Sequence, residues 1–103
     1  MSKVAEGPTD WIDPVIHAPA RLQIVMQLYV LEAADAVFLQ NRTGLTWGNL
    51  SSHLGKLEKA GYVRMEKTFK GKKPWTMVRL TQEGRDAFQA YRARMQESLS
   101  ELP

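Results

Sequence analysis

Apolar residues recur every three or four positions along three stretches of the first 60 residues, which is the spacing of an amphipathic helix. The periodic apolar positions of the first stretch, Ala20 to about Leu31, are Leu22, Val25, Met26 and Tyr29. The second stretch runs from Ala34 to Arg42, and because its residues Ala36, Val37, Phe38 and Leu39 are all apolar, we expect a short and well-buried helix. The third stretch runs from Trp47 to about Ala60. The pattern therefore predicts three helices.

Capping residues stand at the ends of these stretches. Asp35 lies near the start of the second stretch and Thr46 directly precedes the third, and both residue types cap helix N-termini. Gly44 and Gly61 follow the second and third stretches, where a residue in the left-handed conformation commonly ends a helix. Pro19 suits the first turn of the first helix. Because the link between the second and third helices is very short, the sequence predicts a helix-turn-helix.

After Gly61 the period changes to alternation. Tyr62 to Phe69 alternates apolar and polar residues, as a half-buried strand does, and Trp75 to Leu80 is rich in β-forming residues. The basic run Lys70 to Pro74 between them favours a turn. We therefore expect a hairpin with lysines at its tip.

A long final helix is predicted from its cap at Thr81 to about Leu102. Its apolar stripe consists of Phe88, Tyr91, Met95, Leu99 and Leu102. The stripe could cover its own domain, but a helix of this length is longer than so small a core requires. We therefore expect the stripe to pair with a second copy of the chain, helped by the first helix or the N-terminal arm. The residues assigned to dimerisation are Tyr91, Met95, Leu99 and Leu102.

The third helix separates into two faces when its residues are placed at about 100° intervals. Leu50, Leu54 and Leu57 share one sector that must face the core, with Trp47 close beside them. The opposite face consists of Gly48, Ser52, Gly55 and Lys59, flanked by Asn49, Ser51 and Lys56. Small residues permit close approach to a major groove, and Asn, Ser and Lys can contact base edges or phosphates. The alternative is a solvated polar face.

The lysines of the hairpin favour the first interpretation. A loop with three lysines, flanked by Phe69 and Trp75, can lie along a DNA backbone or enter the adjacent minor groove, and neutralising phosphates makes such binding salt-dependent. The alternative is a hairpin whose lysines block edge-to-edge pairing.

Charge and composition agree with binding to a polyanion. The 103-residue chain has a net charge of +3, but the segment from Arg42 to Arg79 has nine basic and two acidic residues, a net charge of +7. The length suits one domain, with a flexible arm at 1–13, the helix-turn-helix and hairpin at 14–80, and the last helix at 81–103. There is no cysteine, so thiolate metal sites and cysteine nucleophiles are excluded. No apolar run approaches the roughly 20 residues of a membrane span, so we expect a cytoplasmic protein without membrane association.

Two stretches carry a family resemblance. The run from Gly44 to Val63, followed by the lysine hairpin, and the run from Leu80 to Phe88 resemble winged-helix transcription regulators of the multiple-antibiotic-resistance (MarR) and arsenic-resistance (ArsR) repressor type, specifically their small stand-alone subgroup. The resemblance covers Pro14 to the C-terminus. It implies a mainly α fold with a small β-hairpin (α+β), that is, a winged helix-turn-helix with a long C-terminal helix.

The resemblance also implies a partner and a set of contacts. It implies a homodimer that binds a palindromic site in double-stranded DNA, with residues 46–60 in the major groove and the wing at 69–75 on the backbone or in the minor groove. The residues expected to bind DNA are Thr46, Gly48, Asn49, Ser51, Ser52, His53, Lys56, Lys59, Lys70, Lys72 and Lys73. The alternative on the same scaffold is a protein–protein interaction module.

An enzyme is the least supported class. His53 could be a catalytic base, but no Ser, Cys or carboxylate stands at a spacing that indicates a triad. Asp10, Asp13 and His17 could suggest a metal site, but they lie in a proline-interrupted segment. We therefore predict no catalytic residue, no metal and no cofactor, and no residue indicates a small-molecule effector.

Overall fold

The computed structural model describes residues 11–103, and the predicted arm lies outside the described residues except for Trp11 to Asp13. Those residues contain four helices and one three-stranded antiparallel sheet of strand order β1-β3-β2. The elements in chain order are α1 (Pro19–Leu31), β1 (Ala33–Asp35), α2 (Ala36–Thr43), α3 (Trp47–Lys59), β2 (Val63–Lys70), β3 (Lys73–Leu80) and α4 (Gln82–Ser100). The predicted winged helix-turn-helix with a long C-terminal helix is confirmed.

The helix starts follow the local sequence signals. The side chains of Asp35, Thr46 and Thr81 cap α2, α3 and α4, and each accepts a hydrogen bond from a backbone N–H of the first turn, at 2.8, 3.1 and 2.9 Å. Gly44 ends α2 at φ +70°, and its N–H donates to the carbonyl of Gln40. Gly44 and Leu45 are therefore the only residues between α2 and the cap of α3.

The second predicted helix begins too early. Its expected first residues form β1, in which Ala34 pairs with Val78 and Asp35 pairs with Met77 of β3. Glu32 ends α1 at φ +68°, and its carbonyl accepts a hydrogen bond from the N–H of Leu80 at 3.0 Å. This bond holds the chain against β3, so the next three residues are extended and α2 starts at Ala36.

The hairpin is longer than predicted, and its loop is shorter. Only Gly71 and Lys72 connect the strands, with Lys70 paired to Lys73. Gly71 has φ +63°, and Lys72 does not have a positive φ, as in a type II′ turn with glycine at its first central position. Pro74 lies inside β3 opposite Phe69, where β3 has a neighbour on one side only, so the missing N–H is tolerated.

The core lies between the helices and the inner face of the sheet. Its fully buried side chains are Ile16, Ile24, Val25, Leu28, Leu39, Leu50, Leu57 and Val78. Two predictions about burial are wrong: Met26 of α1 is 47% exposed, because Ile24 and Leu28 face the core with Val25, and Val37 of α2 is 44% exposed. Along residues 11–103, we find no helix with the length and apolar character that crossing a membrane requires.

Candidate nucleic-acid interface

The outer face of α3 is solvent-exposed along its length. Leu50, Leu54 and Leu57 are buried, as predicted. The polar and small residues expected to contact DNA on this helix and its cap are exposed, except for half-buried His53: Thr46, Gly48, Asn49, Ser51, Ser52, Lys56 and Lys59. A Cβ atom built on Gly48 or Gly55 meets nothing within 4 Å, so this surface is open at both glycines.

One flank of α3 faces the hairpin. A groove of about 360 Å³ separates them, with Ser51 and Glu58 of α3 on one wall and Met65, Lys67 and Thr76 of the strands on the other. Because side chains alternate along a strand, Phe69 points to the same side of β2 as Met65 and Lys67. The hairpin therefore presents Lys67 beside α3, and Phe69 lies on the same face nearer the tip.

Trp47 is placed differently from the prediction. Its side chain is 51% exposed and lines the groove between α3 and the hairpin, rather than packing in the core. It is the first residue of α3, almost a full turn before Leu50, where α3 first reaches the core. The structure thus adds a half-exposed indole to the rim of the candidate interface.

The distal half of the hairpin extends away from the protein body. Phe69 is 69% exposed, so the predicted half-burial of this strand holds only for Val63 and Met65. The lysines of this region are all exposed: Lys67, Lys70, Lys72 and Lys73. The ammonium of Lys70 lies 4.5 Å from the ring centroid of Trp75, a cation–π contact on the outer face of the hairpin.

The acidic residues of the basic segment are placed away from the hairpin tip. Glu66 lies on the outer face of the hairpin, 3.8 Å from Arg64 and 3.9 Å from Arg79. Glu58 is exposed and lines the groove beside α3. The lysine-rich tip and the outer face of α3 therefore keep their positive charge.

The other flank of α3 faces α1. Arg21 of α1 donates one hydrogen bond from Nη1 to Nδ1 of His53, at 3.0 Å, and another from Nε to the carbonyl of Val15, at 2.7 Å. Since a guanidinium can only donate, His53 accepts as a neutral imidazole. Burial lowers the pKa of His53 from its ordinary value of 6.5, and the charges of Arg21 and Lys56 lower it further. Sequence reasoning missed Arg21, because no local pattern relates it to α3.

The residues considered for metal binding make structural contacts. The Asp13 carboxylate accepts hydrogen bonds from the N–H of Val15, at 2.8 Å, and from the Tyr62 hydroxyl, and burial together with this bond raises the pKa of Tyr62 to about 12. His17 Nδ1 is 2.7 Å from the Tyr91 hydroxyl. Within residues 11–103, no three His, Cys, Asp or Glu side chains are grouped closely enough to hold a metal ion, and Asp10 lies outside the described residues.

The residues assigned to dimerisation divide into two groups. Tyr91 is only 5% exposed and packs in the core of its own chain, so it offers almost no surface to a partner. Met95 is half-buried, whereas Leu99 and Leu102 are 57% and 66% exposed. Of the predicted stripe, the C-terminal half is exposed.

A second apolar surface lies on α1. Met26, Val30 and Leu31 are 47%, 79% and 46% exposed. They line a groove of about 590 Å³ together with Phe38 of α2 and Phe88 of α4. Exposed apolar side chains thus lie on both helices that sequence analysis associates with dimerisation.

Comparisons with known proteins agree on the fold and its class. A family model described as a winged helix DNA-binding domain matches residues 20–99. An uncharacterized protein of Methanocaldococcus jannaschii is 35% identical over 77 residues, which cover 75% of this chain and 84% of that protein.

Two solved structures are similar over nearly the whole chain. A transcriptional regulator homologue from Pyrococcus horikoshii OT3 has a TM-score of 0.84 and 25% identity, over 95% of this chain and 97% of that one. Reduced AbfR bound to DNA has a TM-score of 0.67 and 18% identity, over 96% of this chain and 66% of that one. The second likeness, at its low identity, shows the shared fold alone.

Proposed function

The chain belongs to the family of winged helix DNA-binding domains, and on that premise we propose that it is a transcription regulator that recognises a specific sequence in double-stranded DNA as a homodimer. The observation that carries the proposal is the groove shared by α3 and the hairpin. The groove is lined by Ser51 and Glu58 of α3 and by Lys67 of β2. In this proposal the small-residue face of α3 and the lysines at the hairpin tip continue the DNA-binding surface on either side of it. In this proposal α3 enters the major groove and the hairpin contacts the backbone or the adjacent minor groove.

The residue types of α3 suit direct contact with base edges. Asn49 and Ser52 are exposed hydrogen-bonding residues on the outer face, and Lys56 and Lys59 can reach guanine or phosphate. Gly48 and Gly55 have no side chain, so the helix backbone can approach the floor of the groove. We propose Thr46, Ser51 and His53 as contacts at the edges of this surface.

The hairpin contributes charge. Lys70, Lys72 and Lys73 lie within four residues of one another around the two-residue turn. Each lysine that neutralises a phosphate releases counterions, so the affinity falls as salt rises. We propose that this tip supplies much of the non-specific part of the binding free energy.

The proposed homodimer uses the exposed apolar side chains of α4 and α1. Met95 and Leu99 continue the core-facing stripe of α4 past the end of the core, and Leu102 follows just after the helix ends at Ser100. Pairing with a second copy removes this apolar area from water. Two-fold pairing places two copies of α3 about one DNA turn apart, which corresponds to a palindromic site. Tyr91 is not part of this proposal.

We propose a binding protein rather than an enzyme. The one histidine of α3 accepts a hydrogen bond from Arg21 at Nδ1, which occupies the lone pair that a general base would use to accept a proton. A catalytic pair requires a nucleophile or carboxylate at this position, and the partner present is a guanidinium.

The experiment that tests DNA binding removes charge from the turn. Duplexes selected from a random pool are titrated at several salt concentrations with the wild-type chain and with Lys72→Gln/Lys73→Gln. We expect weaker binding and a slope of log affinity against log salt that is shallower by about 0.9 for each lysine that contacts a phosphate. Both lysines are exposed, so the fold should be unchanged by circular dichroism.

The matched control is Ala90→Glu/Gln96→Glu, which makes the same change in net charge at two exposed positions of α4. We expect its salt slope to stay close to that of the wild type. Equal slopes for the wild type and the lysine variant would contradict the role of the hairpin. No salt-dependent duplex binding by the wild type would overturn the proposed function and favour the protein-interaction alternative.

A further inference from the structure

A helix in the major groove has a phosphate backbone along each of its flanks, because the groove is only about 12 Å wide. In this protein the hairpin lies beside one flank of α3. The other flank faces α1 and the turn that precedes it, and it carries Lys56 and Lys59 of α3. The residues on that flank therefore decide whether the second phosphate backbone of the groove is also bound.

A recess of about 270 Å³ lies on this flank, lined by Val15, Arg21, Lys56, Lys59 and Ala60. Three of its five lining residues are cationic, and they come from two different helices. Among residues 11–103, no carboxylate lines it. We call it the flank recess.

The two lysines have a simpler explanation, which does not extend to Arg21. Lysines in the last turn of a helix are stabilised by the helix dipole, and Lys56 and Lys59 occupy the last turn of α3. Arg21 is the third residue of α1, in its first turn, where the positive end of the helix dipole disfavours a cation. Its charge is nevertheless held beside those of the lysines, although like charges repel.

Among residues 11–103, Arg21 is held in place by contacts that include no counter-charge. Its hydrogen bonds go to the neutral groups of Val15, at 2.7 Å, and His53, at 3.0 Å, with a longer one to the carbonyl of Pro14 at 3.5 Å. The positive field at this flank is strong enough to contribute to the lowered pKa of His53. An anion in the flank recess would therefore meet a preorganised guanidinium and two adjustable ammonium groups.

We infer that the flank recess binds one phosphodiester of the DNA backbone, on the strand opposite the one that the hairpin approaches. The inference rests on the proposed function, since it describes how the same complex is held on its second side. A guanidinium held by other hydrogen bonds, together with two lysines, suits an oxyanion through charge-assisted bonds. In this arrangement α3 is anchored on both flanks, so its register in the groove is fixed by two strands.

The test uses duplexes in which one phosphate at a time is replaced by a neutral methylphosphonate. We expect the wild type to lose roughly tenfold in affinity at one position in each half-site, on the strand away from the hairpin. Lys56→Gln/Lys59→Gln should bind the unmodified duplex more weakly and should be insensitive to the replacement at that position. Both lysines are exposed, so this variant should fold normally, whereas an Arg21 variant would also disturb Val15 and His53.

The control is Lys72→Gln/Lys73→Gln, which changes the hairpin alone. It should stay sensitive at the flank-recess position and become insensitive at another position on the opposite strand. A second readout is the His53 imidazole resonance in NMR spectra, because a bound phosphate raises the pKa of His53 toward its ordinary value. The charged groups known to face this imidazole are Arg21 from α1 and Lys56 from α3.

The outcomes separate this inference from the proposed function. If the wild type binds duplex DNA but Lys56→Gln/Lys59→Gln keeps wild-type sensitivity at every position, the inference is wrong and the function stands. If inorganic phosphate shifts the His53 resonance but the variant binds duplexes like the wild type, the recess is a site for free anions, which also overturns the inference. If the wild type binds no duplex, the proposed function itself fails.

Discussion

Single side chains connect α3 to the rest of the protein through contacts that depend on protonation. His53 accepts a hydrogen bond from Arg21, and it can do so only while Nδ1 carries no proton. Protonation of His53 would place a third positive charge beside Arg21 and Lys56. The neutral form is therefore part of the folded structure, which explains the direction in which its pKa moves.

This contact predicts how stability depends on pH. Because the pKa of His53 is lowered in the folded state, the unfolded chain binds the proton more tightly, and acid favours unfolding. The contribution of His53 is fully present above its ordinary value of 6.5, and stability is lost as the pH falls from there toward the lowered value. We expect the urea midpoint of the wild type to fall more between pH 7.5 and pH 5 than that of His53→Gln. Parallel pH profiles would contradict this account.

At the scale of the residue, the sequence predicted what is local. The caps at Asp35, Thr46 and Thr81 each bond to a backbone group three residues away, so a short pattern contains the whole interaction. The bond between Arg21 and His53 joins residues that are 32 positions apart, and neither residue has a neighbour that indicates the other. The prediction for Trp47 was wrong for a related reason. The helical period predicts the side of α3 on which Trp47 lies, but it does not predict that α3 first contacts the core at Leu50.

At the scale of the element, α3 combines a buried leucine face with glycines on its open face. Glycine within a helix is less stable than alanine by roughly 0.5–1 kcal/mol, mainly because the unfolded glycine has more conformational freedom. A Cβ atom at Gly55 meets nothing in the protein, so steric crowding does not explain the glycine. The proposed close approach of DNA to the helix backbone gives the glycine a reason.

Gly55→Ala should therefore separate stability from binding. We expect the free energy of unfolding to rise by about 0.5–1 kcal/mol, measured by urea denaturation. We expect duplex affinity to fall in the same protein, because the added methyl group lies between the helix and the groove floor. A gain in stability with unchanged affinity would show that the backbone does not approach DNA at this position.

Gly84→Ala provides the contrast within α4. A Cβ atom there would overlap the carbonyl oxygen of Tyr62, because the start of α4 packs directly against the chain entering β2. We expect this variant to lose about 1–3 kcal/mol of stability, as is usual for overpacking. The two variants thus distinguish a glycine required for packing within the protein, Gly84, from a glycine on the open face of a helix, Gly55.

Elements that form because they pair with another strand were harder to predict than elements whose apolar residues recur at a regular spacing. The sequence Ala33-Ala34-Asp35 has no β-branched or aromatic residue and is compatible with a helix. It is a strand because Arg79, Val78 and Met77 of β3 pair with it. The hairpin was predicted because its strands alternate, but the pairing of Phe69 with Pro74 shortened the loop beyond what the basic run indicated.

At the scale of the whole molecule, α4 extends its apolar stripe past the core. We expect the wild type to sediment as a dimer and Leu99→Glu/Leu102→Glu to sediment as a monomer. The reason is that burying the two introduced carboxylates against a partner costs free energy. Affinity for a duplex with two half-sites should fall by roughly a hundredfold or more, while binding to a single half-site changes little.

The control for the dimer is Val37→Glu, which places a charge on an exposed apolar residue of α2 that belongs neither to the stripe of α4 nor to the lining of the α1 groove. It should remain dimeric. A wild-type monomer in sedimentation, or a dimer that survives both changes in α4, would contradict the proposed interface.

The pairing of β3 gives the hairpin two mechanically different halves. Near its base, residues 77–79 of β3 pair with both β1 and β2, whereas residues 73–76, nearer the turn, pair with β2 alone. The hairpin is thus held on both sides at its base and is free to bend toward Gly71. In the proposed complex, the tip can follow a DNA backbone whose distance varies from one sequence to another, while the base of the hairpin keeps its distance from α3. The proposed base contacts of α3 and backbone contacts of the tip would then adjust independently of each other.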